Sequence, residues 1–149
     1  MDLKLYKRPV SSLSLTGERV RVTPGVIAKF SSALSDKMIN IYCVSTGEYS
    51  VSFFVDDADM EKARDALEEI VSKTSSFGAL SIMRHLGMVT VTGTEFMNKT
   101  GLITKLTAVL DKKNINVVSL STSFDSAVLI LKWEDCKKAY ETIGKDLRI

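Results

Sequence analysis

The two halves of the chain align with each other without a gap at a fixed offset of 76 residues, and this repeat limits the fold more than any other feature. Thr16-Gly17 returns as Thr92-Gly93, Gly25 as Gly101, Ile27 as Ile103, Lys29 as Lys105 and Leu34 as Leu110. Further on, Ile39-Asn40 meets Ile115-Asn116, Ser45-Thr46 meets Ser121-Thr122, and Lys62-Ala63 meets Lys138-Ala139. Most other pairs swap like for like, as Phe30 does with Leu106 and Phe53 with Leu129. A chain of 149 residues therefore reads as two copies of one module of roughly minimum domain size.

Each copy has the same rhythm. Leu13 and Leu15 before Thr16-Gly17 predict a strand running into a loop, and Val89 and Val91 before Thr92-Gly93 repeat it. Thr23 suits a helix cap, with Pro24 in the first turn where a missing N–H costs nothing. Val26, Ile27, Phe30, Ala33, Leu34 and Met38 then follow helical spacing. Leu102, Ile103, Leu106, Val109 and Leu110 form the matching stripe after Thr100. Residues 39–45 and 51–55 predict strands joined through Gly47 and Glu48, and Asp57 or Asp59 opens a second helix carrying Ala63, Leu67 and Ile70. The second copy repeats this with strands at 115–121 and 127–131 and a helix from about Asp135.

After a polar loop at 73–78, residues 80–86 supply a fourth strand, giving the first module the order β-α-β-β-α-β of a ferredoxin-like split. The second module has only residues 146–149 left after its second helix. Residues 3–7 hold alternating Leu3 and Leu5 and have no place in the first module, so they are expected to complete the second. The expected class is α+β: two ferredoxin-like modules in tandem, antiparallel sheets with helices on one face. The first covers residues 10–87, the second 88–149 plus 2–7.

Composition excludes several functions. With 45% hydrophobic and 26% charged residues the chain is an ordinary globular one. The longest uncharged stretch, 114–124, is far short of the roughly 18–20 apolar residues of a membrane helix, and residues 1–17 hold no apolar block of a signal peptide. A net charge of +2 gives no strong pull toward nucleic acid or anionic lipid. Tyr42, Tyr49 and Phe53 lack the basic neighbours that an RNA-reading sheet needs. Two cysteines, Cys43 and Cys136, are too few for a disulfide framework or a cysteine zinc site, so a cytoplasmic protein without nucleic-acid or membrane partners is expected.

Catalytic signatures are equally sparse. His85 is the single histidine, with no nucleophile placed beside it, and reads as structural. Cys136, at a helix start, is either a thiol of lowered pKa or a small buried hydrophobe, and Cys43 sits in an apolar strand. The acidic group Asp56, Asp57, Asp59 and Glu61 lacks calcium-loop spacing and reads as helix-start acids favoured by the dipole. The scattered Met residues read as core filling. No metal and no cofactor are expected. The loop 17–25 is more informative: it leads from strand to helix and presents backbone N–H groups at Gly25, Val26 and Ile27, which suit a carboxylate. Carbonyls along 39–45 and the Glu48 carboxylate are the matching acceptors for an ammonium. The pocket of a small amino acid and a plain helix start both satisfy this pattern.

These residues resemble ACT domains, and specifically the tandem pair forming the C-terminal regulatory region of aspartokinase. The likeness rests on Thr23-Pro24-Gly25-Val26-Ile27-Ala28-Lys29-Phe30, Leu34, Ile39-Asn40-Ile41 and Val44-Ser45-Thr46. In the second copy it rests on Thr100-Gly101-Leu102-Ile103, Ile115-Asn116-Val117 and Ser121-Thr122. Aspartokinase phosphorylates the side-chain carboxylate of aspartate with ATP, on the way to lysine, threonine and methionine. Its kinase domain precedes the ACT pair, and nothing here resembles it. The resemblance therefore implies a regulatory fragment or subunit, not catalytic by itself, whose partner is the aspartokinase catalytic domain or subunit. It also implies a homodimer in which first modules pair and bind lysine or threonine at their interface, for feedback control of the pathway. The effector site carried over comprises Val20, Thr23, Gly25, Val26, Ile27, Asn40, Ile41, Tyr42, Thr46, Gly47 and Glu48. Lysine-sensing members have an aspartate facing the effector ammonium where this chain has Tyr42, which cannot supply that charge; Glu48 in its place, a threonine sensor, a relocated lysine site and a silent site are the readings this departure leaves. The second module is expected to serve dimerisation, with Phe124 at its position equivalent to Glu48. The alternative is a free-standing tandem ACT regulator acting by contact on another enzyme or on transcription.

Overall fold

The computed structural model describes residues 1–74 and 77–147. In chain order its elements are β1 (Asp2–Leu5), β2 (Val10–Thr16), α1 (Glu18–Val22), α2 (Val26–Asp36), β3 (Cys43–Thr46), β4 (Ser50–Asp56) and α3 (Met60–Lys73). There follow β5 (Ala79–Thr92), α4 (Glu95–Asn98), α5 (Leu102–Asp111), β6 (Val117–Thr122), β7 (Ser126–Lys132) and α6 (Cys136–Leu147). Single 3-10 turns, Asp57–Asp59 and Trp133–Asp135, lead into α3 and α6. The mixed α and β content, in two modules with antiparallel strand pairs, is the expected class.

The chain divides into two compact units. One runs from Val10 to His85. Its sheet has the order β3-β4-β2, with the first part of β5 next to β2. Leu13 and Leu15 of β2 and Val51, Phe53 and Val55 of β4 point to one side, where Val26, Phe30 and Leu34 of α2 and Ala63 and Leu67 of α3 cover them. The i, i+4, i+8 spacing of the α2 residues turns one stripe of that helix inward. Phe30 stacks on Phe53 with centroids 6.4 Å apart and meets Phe77 edge-on at 5.5 Å.

The other unit joins Met1–Pro9 to the described residues from Leu86 onward. β1 pairs antiparallel with β5, Asp2 facing Thr92 and Leu5 facing Val89, and β5 pairs in turn with β7 and β7 with β6. Leu106 and Leu110 of α5 and Ala139 and Ile143 of α6 close the core over Val89, Val91 and Leu129.

The repeat reaches the backbone. Gly25 and Gly101 hold φ of 81° and 82° ahead of their helices, and Met38 and Asn114 hold 56° and 55° after them. In both places the next residue's N–H returns to the last turn, Ile39 to the Leu34 carbonyl and Ile115 to that of Leu110, each at 3.0 Å. This left-handed ending satisfies orphan carbonyls of the helix.

Several expectations need correction. Residues 17–25 are not all loop, because 18–22 form α1. Thr23 does not cap α2: its N–H ends α1 on the Arg19 carbonyl at 3.0 Å, Pro24 lies outside the helix, and left-handed Gly25 precedes it without a side-chain cap. The strand expected at 39–45 is only Cys43–Thr46, since the turn at Met38 sends Ile39 into the core before the strand starts. Met38 itself is 89% exposed rather than part of the helical stripe. Residues 80–86 and 89–92 are parts of one strand, β5, with His85 at φ 53° within it. Lys73 belongs to α3, and Ser75 and Ser76 of the expected loop lie outside the described residues. Asp146 and Leu147 belong to α6, and residues 148–149 of that tail also lie outside. Of the methionines only Met60 is fully buried, while Met83 and Met97, like Met38, are exposed.

Candidate functional site

The residues of the carried-over site fall into three pieces of the first unit. At the start of α2, Gly25 and Ile27 are exposed while Val26 is buried in the core. The left-handed Gly25 lets the helix begin abruptly, and an uncapped first turn leaves its N–H groups at the positive end of the helix dipole. A shallow trough runs along the outer side of α2, between Ala28, Ser31, Ser32 and Ser35 and the segment Ile39, Asn40 and Ile41. Small side chains on α2 keep it open. Ile41 also packs on the core, and the Tyr42 N–H donates to the Phe54 carbonyl at 2.8 Å, which fixes the segment against β4.

The third piece is a strap between α1 and the β3–β4 turn. Gly17 N–H donates to the Tyr49 carbonyl at 2.9 Å, and the Gly47 N–H to that of Ser50 at 2.8 Å. The Arg21 Nε lies 3.3 Å from the Glu48 Oε1, and its Nη1 donates to the Tyr49 hydroxyl at 3.4 Å with the guanidinium 5.8 Å from the ring centroid. Glu48, the acceptor that the sequence offers a ligand ammonium, is paired here with Arg21. Val20 packs beside the core, and Thr46 and Gly47 are exposed at the turn.

Sequence reasoning missed Arg21 and Tyr49. The offset of 76 held the signal, since Arg21 stands against Met97 and Glu48 against Phe124, two charges facing two apolar residues.

Asp57 accepts from the Ser11 hydroxyl, from Arg84 Nη2 at 2.9 Å and from the His85 N–H at 3.3 Å. The Arg84 hydrogen bond above all holds the Asp57 carboxyl down to about 2. His85 is an exposed residue whose ring Nδ1 is 3.8 Å from Asp57. Cys136 is buried, and burial pushes its thiol up to about 11, opposite to the lowered value a helix start suggests. Cys43 is half-buried at the start of β3 rather than enclosed. Among the described residues no group of His, Cys, Asp and Glu is arranged to hold a metal, and no helix is long and apolar enough to cross a membrane. Phe53 is fully buried, so the aromatic trio is no base-stacking surface.

Two family models, both described as ACT domain, match residues 13–70 and 81–144. The chain belongs to the ACT-domain family and carries two such domains in tandem. An aspartate kinase of Gibberella moniliformis is 21% identical over 143 residues, covering 95% of this chain and 28% of its own length. The aspartokinase of Mycolicibacterium smegmatis is 40% identical over 65 residues, 44% of this chain and 15% of its own. The chain therefore spans less than a third of these curated relatives. The crystal structure of the regulatory subunit of aspartate kinase from Thermus flavus superposes with a TM-score of 0.84 at 18% identity, covering 99% of this chain and 97% of that one, which is a likeness of fold. Taken together, the chain is a tandem of two ACT domains, similar in sequence to parts of aspartokinases and in fold to an aspartate kinase regulatory subunit.

Proposed function

We propose that the module senses lysine or threonine and relays its presence to an aspartokinase catalytic domain or subunit, which holds the kinase chemistry. The observation that carries this reading is the uncapped start of α2, opened by left-handed Gly25; farther along the same helix runs the trough bordered by Asn40 and Ile41. The N–H groups suit the effector carboxylate, and carbonyls along 39–45 suit its ammonium. Pairing of two first units across the exposed side of α2 encloses the effector in a dimer, and the second unit contributes to dimerisation. Regulation then follows from linkage: the effector stabilises the dimer geometry it binds better, with a coupling of ~1–3 kcal/mol. Feedback control of aspartate-family amino-acid synthesis in the cytoplasm is the setting this implies.

Isothermal titration of the chain with lysine, threonine and methionine, alongside sedimentation, tests this. Saturable heat from lysine or threonine with a dimeric species is expected. Silence from all three overturns the sensing role.

A further inference from the structure

The two units keep the same backbone strap and differ in the side chains laid over it. Gly17 N–H bonds to the Tyr49 carbonyl in one, and Gly93 N–H bonds to the Asp125 carbonyl at 2.7 Å in the other. On the first strap lies the ion pair Arg21–Glu48, on the second the exposed apolar residues Met97 and Phe124. The ion pair is not there to hold the fold. Its partners are 53% and 60% exposed, α1 buries no residue, and pairs of that exposure contribute little to stability. Its effect is electrostatic and local. Arg21 takes up Glu48, the acid of the turn, and lies over the Tyr49 ring, a pairing that Met97 and Phe124 do not repeat in the second unit.

Building on the sensing role above, we propose that Arg21 is a specificity-determining residue of the first unit, which selects an amino acid with an uncharged side chain and rejects one with a cationic side chain. An incoming ammonium side chain has to displace Arg21 from Glu48 or lie beside a like charge, and both outcomes disfavour it. An uncharged side chain leaves the pair intact.

The test is titration of the full chain and its variants with free L-threonine and L-lysine. Wild type is expected to bind threonine tighter than lysine by up to about fivefold, the span an exposed charge contact covers. Arg21→Met installs the side chain found at the matching place in the second unit and should shift the ratio toward lysine by about fivefold. Arg21→Lys keeps the cation and should keep the wild-type ratio. A thermal melt of each variant that matches wild type shows the fold intact. Lysine binding that appears only in Arg21→Met also supports the assignment. Threonine binding with a ratio indifferent to Arg21→Met, or equal binding of both by wild type, overturns it while leaving the sensing role in place. Silence of every protein toward both amino acids overturns the two together.

Discussion

The Asp57 carboxylate draws in the Arg84 guanidinium at 2.9 Å while the same carboxylate receives the neighbouring His85 N–H, so one buried acid fixes the left-handed residue in the middle of β5. Its pKa of about 2 lies below the ordinary 3.8. A depressed folded value means stabilisation that is complete above about pH 4 and fades as the pH falls toward 2. Asp57→Asn should cost about 2 kcal/mol at neutral pH, with the difference from wild type closing in acid. Urea denaturation at pH 7 and near pH 2 measures both limbs. An equal gap at both pH values refutes the assignment.

Met38 ends α2 in a conformation that the repeat fills with Asn114 at the end of α5. The side chain is 89% exposed, so nothing is lost on removing it. Met38→Gly should raise stability by about 1 kcal/mol, the left-handed penalty less the entropy that glycine adds to the unfolded chain. The same chemical denaturation reads it, and a loss of stability contradicts it.

Gly87 sits against Cys136, where an added Cβ would come 2.1 Å from the Sγ. Gly87→Ala should therefore cost about 3 kcal/mol, with part of the loss recovered in a Cys136→Ala background. The buried thiol also stays protonated at neutral pH. Native protein should react with a thiol reagent at Cys43 alone, and at both cysteines once unfolded; peptide mapping after alkylation distinguishes them.

Packing and sensing should separate by mutation. Leu34→Ala or Leu110→Ala removes a fully buried side chain and should cost 2–5 kcal/mol, roughly enough to unfold a marginal domain. Thr23→Ala changes a half-buried residue outside the core and should weaken amino-acid binding with the melting temperature unchanged. Calorimetry on all three variants checks the division, and it fails if the Thr23 variant binds as wild type does.

How far the fold was legible depended on length and on repetition. α2 and α5 each show an apolar stripe over ten or more residues, and β4 and β7 are dense in β-branched and apolar side chains, so each was visible twice. α1 was invisible because five residues with no buried side chain carry no stripe. β3 was overdrawn because Ile39 is apolar for the sake of the core and not of a strand. The strands expected at 80–86 and around Val89 and Val91 run on as β5 through Gly87, where a Cβ would collide with Cys136. In the candidate site, the helix start at Gly25 was readable from Pro24-Gly25 and its copy. The Arg21–Glu48 pair spans 27 residues of chain and came into being only with the tertiary fold.

The pairing of β1 with β5 sets an order of assembly. A ribosome delivers Asp2–Leu5 before their partners at Val89–Thr92, which emerge only after every residue of the first unit has been made. The first unit can close on its own during synthesis while the leading strand waits, so the two modules form nested rather than in succession, and the long-range pairing comes last. Dissection at the boundary after His85 accordingly yields no clean halves. The leading fragment carries a strand without a partner, and the trailing one bares the Val89–Thr92 edge to whatever strand arrives next.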